Sequence, residues 1–168
     1  SELMAFFGQR LEPMLSGRGY SFDLVQSVIE RAAAVPMKDL IARLDAIREF
    51  KSHEKYNDFL IGFKRVRNIT PDENLPGIDP SLFTVEEEKA LYSAYEKTGE
   101  SVIERGNDYN AAIGELVALV DPINKFFDGV LVMDKDEKVK MNRLSLLKGL
   151  WELASGVADF SKLQETEG

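Results

Sequence analysis

Apolar residues recur along most of the chain at intervals of three and four, the spacing of amphipathic helices. Leu3, Phe6, Phe7, Leu11 and Leu15 predict a first helix, disturbed near its end by Pro13 and stopped by Gly17-Arg18-Gly19. Ser21 suits the N-cap of a second helix that carries Leu24, Val25, Val28 and Ile29. Pro36 suits a first helical position, and Leu40, Ile41, Leu44, Ile47 and Phe50 form the apolar face that follows. A fourth helix is expected after Ser52, with Tyr56, Phe59, Leu60 and Phe63 on one side and Lys64-Arg65-Val66-Arg67-Asn68-Ile69 at its end.

Pro71, Pro76, Gly77 and Pro80 then interrupt the pattern and predict a loop. Helical periodicity restarts with Thr84 and Glu87 spaced as a capping box, and Leu91, Tyr92, Tyr95, Val102 and Ile103 carry it to about Arg105. Asn107 suits the next cap, and Pro122 predicts a kink in the helix from Ala111 to Phe127. Val130-Leu131-Val132-Met133 reads as a buried loop, since no second strand pattern exists to pair with it. Asp134 with Glu137 suits the start of a final helix carrying Met141, Leu144, Leu147, Leu150 and Trp151, which breaks near Gly156. The expectation is an all-α bundle of about seven helices. Its divisions are an N-terminal helical part at 1–70, a proline-rich loop or linker at 71–81, a C-terminal bundle at 82–163 and a fraying tail at 164–168.

Charge and composition narrow the chemistry. Twenty-one Lys and Arg stand against 29 Asp and Glu, a net −8, which argues against non-specific coating of nucleic acid but leaves room for a local basic patch. The absence of cysteine excludes thiol catalysis and thiolate metal sites and fits a reducing cytoplasm. His53 is the single histidine and has no Gly-x-Ser-x-Gly elbow beside it. No phosphate loop or dinucleotide fingerprint occurs, and no apolar run reaches the length of a membrane span. The chain reads as non-catalytic, with no metal or cofactor of its own.

Two cationic clusters remain. Lys64, Arg65, Arg67 and Asn68 form one; Lys138, Lys140, Asn142 and Arg143 form the other, downstream of Phe126 and Phe127. Cations, amides and aromatics together are the means of holding single-stranded RNA: phosphates are neutralised, bases are stacked and base edges are read. A dipole-matched helix end accounts for part of the first cluster without any function, and a satisfied polar network accounts equally for Asn142 with Arg143.

The string Phe126-Phe127-Asp128-Gly129-Val130-Leu131-Val132-Met133, followed by Asn142-Arg143-Leu144-Ser145-Leu146-Leu147, resembles the C-terminal end of the β subunit of the bacterial tetrameric glycine–tRNA ligases. Phe63-Lys64-Arg65-Val66, Asn68-Ile69, Tyr109-Asn110-Ala111-Ala112 and Ala158-Asp159-Phe160-Ser161-Lys162-Leu163 agree in order and spacing. Two positions depart from the pattern, Pro13 within a helix and Lys140 where arginine is usual. The resemblance implies a fragment of β with a DALR-type helical anticodon-binding domain. It also implies an α2β2 ligase that uses ATP and magnesium at a site on its α subunit, with the anticodon arm of glycine tRNA as the partner of β. Ser1 would be a cloning remnant. Neither a membrane nor DNA is expected as a partner. The rival expectation is a helical module that docks protein without touching RNA, supported by the acidic balance and the many apolar faces.

Overall fold

The computed structural model describes residues 2–167; the side chains of Leu3, Met4 and Phe7 lie outside the described ones. Eight α-helices follow one another: α1 (Glu2–Gly17), α2 (Phe22–Val28), α3 (Met37–Phe50), α4 (Tyr56–Ile69), α5 (Glu86–Arg105), α6 (Tyr109–Val117), α7 (Val120–Gly129) and α8 (Glu137–Ser155). Short 3-10 turns occupy Ile29–Arg31, Pro80–Leu82 and Phe160–Lys162, and no strand occurs among the described residues. The fold class is all-α as expected. The count exceeds seven because the helix expected to kink at Pro122 breaks outright at Ala118-Leu119, leaving Pro122 in the first turn of α7, where its missing N–H costs nothing. Pro13, by contrast, is carried inside α1. That helix stops where Gly19 takes φ +89° and the Tyr20 N–H donates back to the Leu15 carbonyl, a Schellman-type ending that glycine accommodates without strain.

Caps fall close to their expected places, shifted by one or two residues. Asp108, not Asn107, accepts the Ala111 N–H at the start of α6. Asp136 accepts the Lys138 N–H at the start of α8, while Asp134 takes the Asp136 N–H at 2.8 Å. At α5 the N-terminal N–H groups of Thr84 and Val85 both donate to the Glu88 carboxylate, at 2.9 and 3.0 Å. Val130–Met133 is a loop, with Val130 and Val132 buried and Leu131 and Met133 exposed.

The core is continuous across the proline-rich segment. Phe59 packs edge-on against Phe50 and Phe160, Phe63 lies 4.4 Å from Phe59, and Ile123 of α7 packs against α4 at Gly62. Residues 71–81 therefore separate elements in chain order rather than two packed units. They run antiparallel along α8 as a strap: Lys148 donates to the Glu73 carbonyl at 2.7 Å, and Asn142 exchanges two hydrogen bonds with the Asp79 main chain at 2.7 and 2.9 Å.

Residues 156–167 close the N-terminal helices instead of fraying, and Gly168 lies outside the described residues. Tyr56 donates to the Gln164 carbonyl, Asn57 pairs with Thr166, and the Gln164 N–H reaches Asp23 at 3.0 Å. Asp23 is buried, which opposes its charge, but the Lys51 ammonium at 2.6 Å, the Ser21 hydroxyl and the Gln164 N–H outweigh burial and hold its pKa at about 2. Because this carboxyl is more acidic folded than unfolded, its contribution is complete above about pH 4 and disappears as pH falls through about 2. That contribution amounts to roughly 2 kcal/mol. Urea midpoints near neutrality and near pH 3 should therefore converge in Asp23→Asn relative to the parent; an equal acid loss in both chains would show that Asp23 is not the responsible group.

Candidate nucleic-acid interface

The eight residues expected to meet RNA divide sharply by burial and partner. On α4, Lys64 is spent on the Leu163 carbonyl at 2.5 Å, and Arg67 pairs with Asp72 at 2.8 Å. Arg65 is exposed, has no ion pair among the described residues, and lies with its guanidinium 4.1 Å from the centre of the Phe127 ring. Asn68, one turn further on, is exposed and makes no side-chain hydrogen bond among the described residues. Phe126 is fully buried and structural, whereas Phe127 is half-buried and serves as the platform under Arg65. A cation stacked on an aromatic face is held in place without losing its charge, so Arg65 is presented rather than neutralised.

The α8 cluster behaves differently. Lys138 is exposed beside a cleft of ≈ 380 Å³ lined by Pro76, Ile78, Leu82 and Met141. Lys140 pairs with Glu137 at 2.8 Å. Asn142 and Arg143 are buried, at 4% and 6% exposure; both amide atoms of Asn142 and the Nε and Nη1 of Arg143 are taken up within the chain. Arg143 bonds Glu88 through Nε, and through Nη1 it reaches the Leu131 carbonyl at 2.6 Å and Asp134 at 3.1 Å. Their expected place at the RNA surface is thus corrected to an interior one. The polar network weighed as the alternative is present: it joins α8 to Glu88, to the Leu131 carbonyl in the loop that follows Asp128, and to Asp134. The Glu88 carboxylate thereby bonds Arg143 and two main-chain N–H groups at once, fixing the start of α5 against the start of α8.

The two cationic clusters are not brought into one patch. Arg67 faces Trp151 across a shared cleft, while Lys138 stands thirteen residues earlier on α8, a distance of ~20 Å at the helical rise. The strap connects them, running from the end of α4 to the start of α8. Sequence reasoning passed over Arg31, which belongs to no periodic or clustered signal, and placed Trp151 with the apolar period of α8; both line that second cleft. No group of three His, Cys, Asp or Glu side chains suited to a metal exists among the described residues.

The bundle sets a stacked arginine and an amide without a partner among the described residues at one helix end, and this chain belongs to the DALR anticodon binding domain family, whose profile matches residues 61–157. The match crosses the strap, in keeping with the continuous core. Along 96% of its length the chain is also similar to glycine–tRNA ligase β subunits: 40% identical to that of Thermodesulfovibrio yellowstonii, 38% to that of Syntrophus aciditrophicus and 34% to that of Rickettsia conorii. It spans about a quarter (24%) of the length of these relatives.

Proposed function

We propose that this chain is the anticodon-binding part of a glycine–tRNA ligase β subunit and grips the anticodon arm of glycine tRNA. The observation that carries the reading is the exposed Arg65 held over Phe127 beside the unpaired Asn68, within a domain of the anticodon-binding family. In this reading Arg65 and Lys138 take phosphates, Asn68 addresses a base edge, and Asn142 and Arg143 position the strap and the α8 start that flank them. Lys64, Arg67 and Lys140 contribute positive potential while remaining tied to protein partners. Attachment of glycine, with its ATP and magnesium, belongs to the complete ligase and its α subunit in an α2β2 assembly, and this chain has no catalytic role.

Glycine anticodons share cytosines at their second and third letters, so these are the letters to vary. A salt titration of this chain against a glycine anticodon stem-loop, beside one with both cytosines replaced, tests the proposal. Salt-sensitive binding that weakens on replacement is expected, since each mismatched letter read by a protein costs roughly 1–3 kcal/mol and each phosphate contact steepens the salt slope by about 0.7. Absence of binding at low salt would favour the protein-docking alternative, for which the exposed Phe22, Ile103 and Leu131 are available.

A further inference from the structure

A second cleft, of ≈ 410 Å³, lies between the α2 end, α4 and the last turns of α8. Its walls carry Gln26, Glu30, Arg31, Arg67, Trp151 and Ser155. The cleft is firmly framed: the Asp159 N–H donates to the Ser27 carbonyl at 2.8 Å, and the buried Arg43 donates to the Gly156 and Val157 carbonyls at 2.7 Å each. Within this frame the Arg31 guanidinium, the Trp151 indole N–H and the Ser155 hydroxyl make no hydrogen bond among the described residues, and Arg31 has no ion pair there. Half-burial and the neighbouring Arg43 push Arg31 below its ordinary range, so an acceptor placed against it is favoured. Arg67 is paired with Asp72, and Asp159, which accepts from Ser161 through one oxygen, remains an anion near Arg31; Arg31 and the exposed Glu30 are the charges of opposite sign on this wall that make no ion pair among the described residues.

We infer that this cleft takes one unstacked cytosine of the bound RNA, stacked on Trp151 and read along its edge by Glu30 and Arg31. The inference rests on the anticodon-binding reading. A cytosine edge presents an amine that donates and a ring nitrogen and carbonyl that accept; a carboxylate beside a guanidinium matches this order. Uracil presents a carbonyl where the amine stood and an N–H where the ring nitrogen accepted, so it meets Glu30 and Arg31 with the wrong polarity. The location suits a continuous RNA path. Around the final turns of α4, Arg65 and Arg67 lie on opposite flanks with Asn68 between them, separated by little more than a helix diameter of about 10–12 Å. A strand held over Arg65 and Phe127 crosses Asn68 and arrives at Trp151.

Trp151 is the only tryptophan of the chain, so its emission reports on the cleft alone. The test is a titration of the chain with an end-labelled glycine anticodon stem-loop, following RNA anisotropy and tryptophan emission together. Quenching of Trp151 with the same midpoint as the anisotropy rise is expected. Trp151→Phe should bind like the parent, Trp151→Ala should bind roughly tenfold more weakly, and Glu30→Gln should narrow the preference for cytosine over uridine loops. Binding by anisotropy with unchanged emission and undiminished affinity in Trp151→Ala would overturn the cleft while leaving the anticodon-binding reading intact. Failure of the RNA to bind by either signal would overturn both.

Discussion

Arg143→Ala should lower the stability of the fold by roughly 3–5 kcal/mol. Arg143 is 6% exposed and Glu88 1% exposed, so removing the cation leaves a carboxylate in the interior with no countercharge. The Leu131 carbonyl and Asp134 lose a donor at the same time, which loosens the turn that launches α8. For a chain of this length the melting point should fall by roughly 10 °C, measurable by calorimetry. Arg143→Met combined with Glu88→Leu should recover much of the loss, because an apolar pair of similar volume removes both desolvation penalties. Recovery should stop short of complete, since Glu88 also receives the Thr84 and Val85 N–H groups. A second readout separates position from contact: at a temperature where Arg143→Ala is folded, its affinity for the anticodon stem-loop should fall no more than a few-fold, through the loosened α8 start that carries Lys138. A loss well beyond that would return Arg143 to the RNA surface.

Arg65→Glu should produce the opposite pattern, a stable protein with weakened RNA binding. The side chain is exposed and unpaired among the described residues, so its replacement should change stability by no more than about 0.5 kcal/mol. Binding should weaken roughly tenfold for the glycine loop and for its cytosine-replaced control alike, with a salt slope shallower by about 1, because a phosphate contact carries no sequence information. Phe127→Leu supplies the contrast. It removes the platform that holds the guanidinium but no charge, so affinity should fall less and the salt slope should persist. If Arg65→Glu instead abolished discrimination between the two loops, Arg65 would be reading a base.

The helices were legible because burial on one face imposes the 3.6-residue period directly, and Leu40, Leu44 and Ile47 or Phe59, Leu60 and Phe63 are all fully or nearly fully buried. The ends were legible to within two residues, since several neighbouring Asp, Asn and Glu side chains compete for each cap and the geometry chooses one: Asp108 over Asn107, Asp136 over Asp134. The site was less legible. Asn142 and Arg143 read as RNA contacts on composition, yet their partners are Asp79 and Glu88, 63 and 55 residues away in sequence. Local spacing cannot specify such a pairing. Arg65 was legible as one of a run of cations, but Phe127 was read with the downstream cluster, and its place under Arg65 depends on how α7 lies against α4. Trp151 escaped notice because periodicity assigns it to the buried side of α8, where it is only half covered.

The seam between the opening helices and the closing residues bears on how the chain is made. Phe59 is covered by Phe160, Tyr56 by Gln164, and Lys64 is satisfied by a carbonyl 99 residues further along. On the ribosome the first four helices therefore emerge with an aromatic groove that nothing nearby in sequence fills. At ordinary elongation speeds of about 5–20 residues per second, that groove stays open for roughly 5–20 s before its lining arrives. Nascent chains halted before Phe160 should be sticky and depend on holdase chaperones, whereas release of a few further residues should convert them into protease-resistant molecules in a single step.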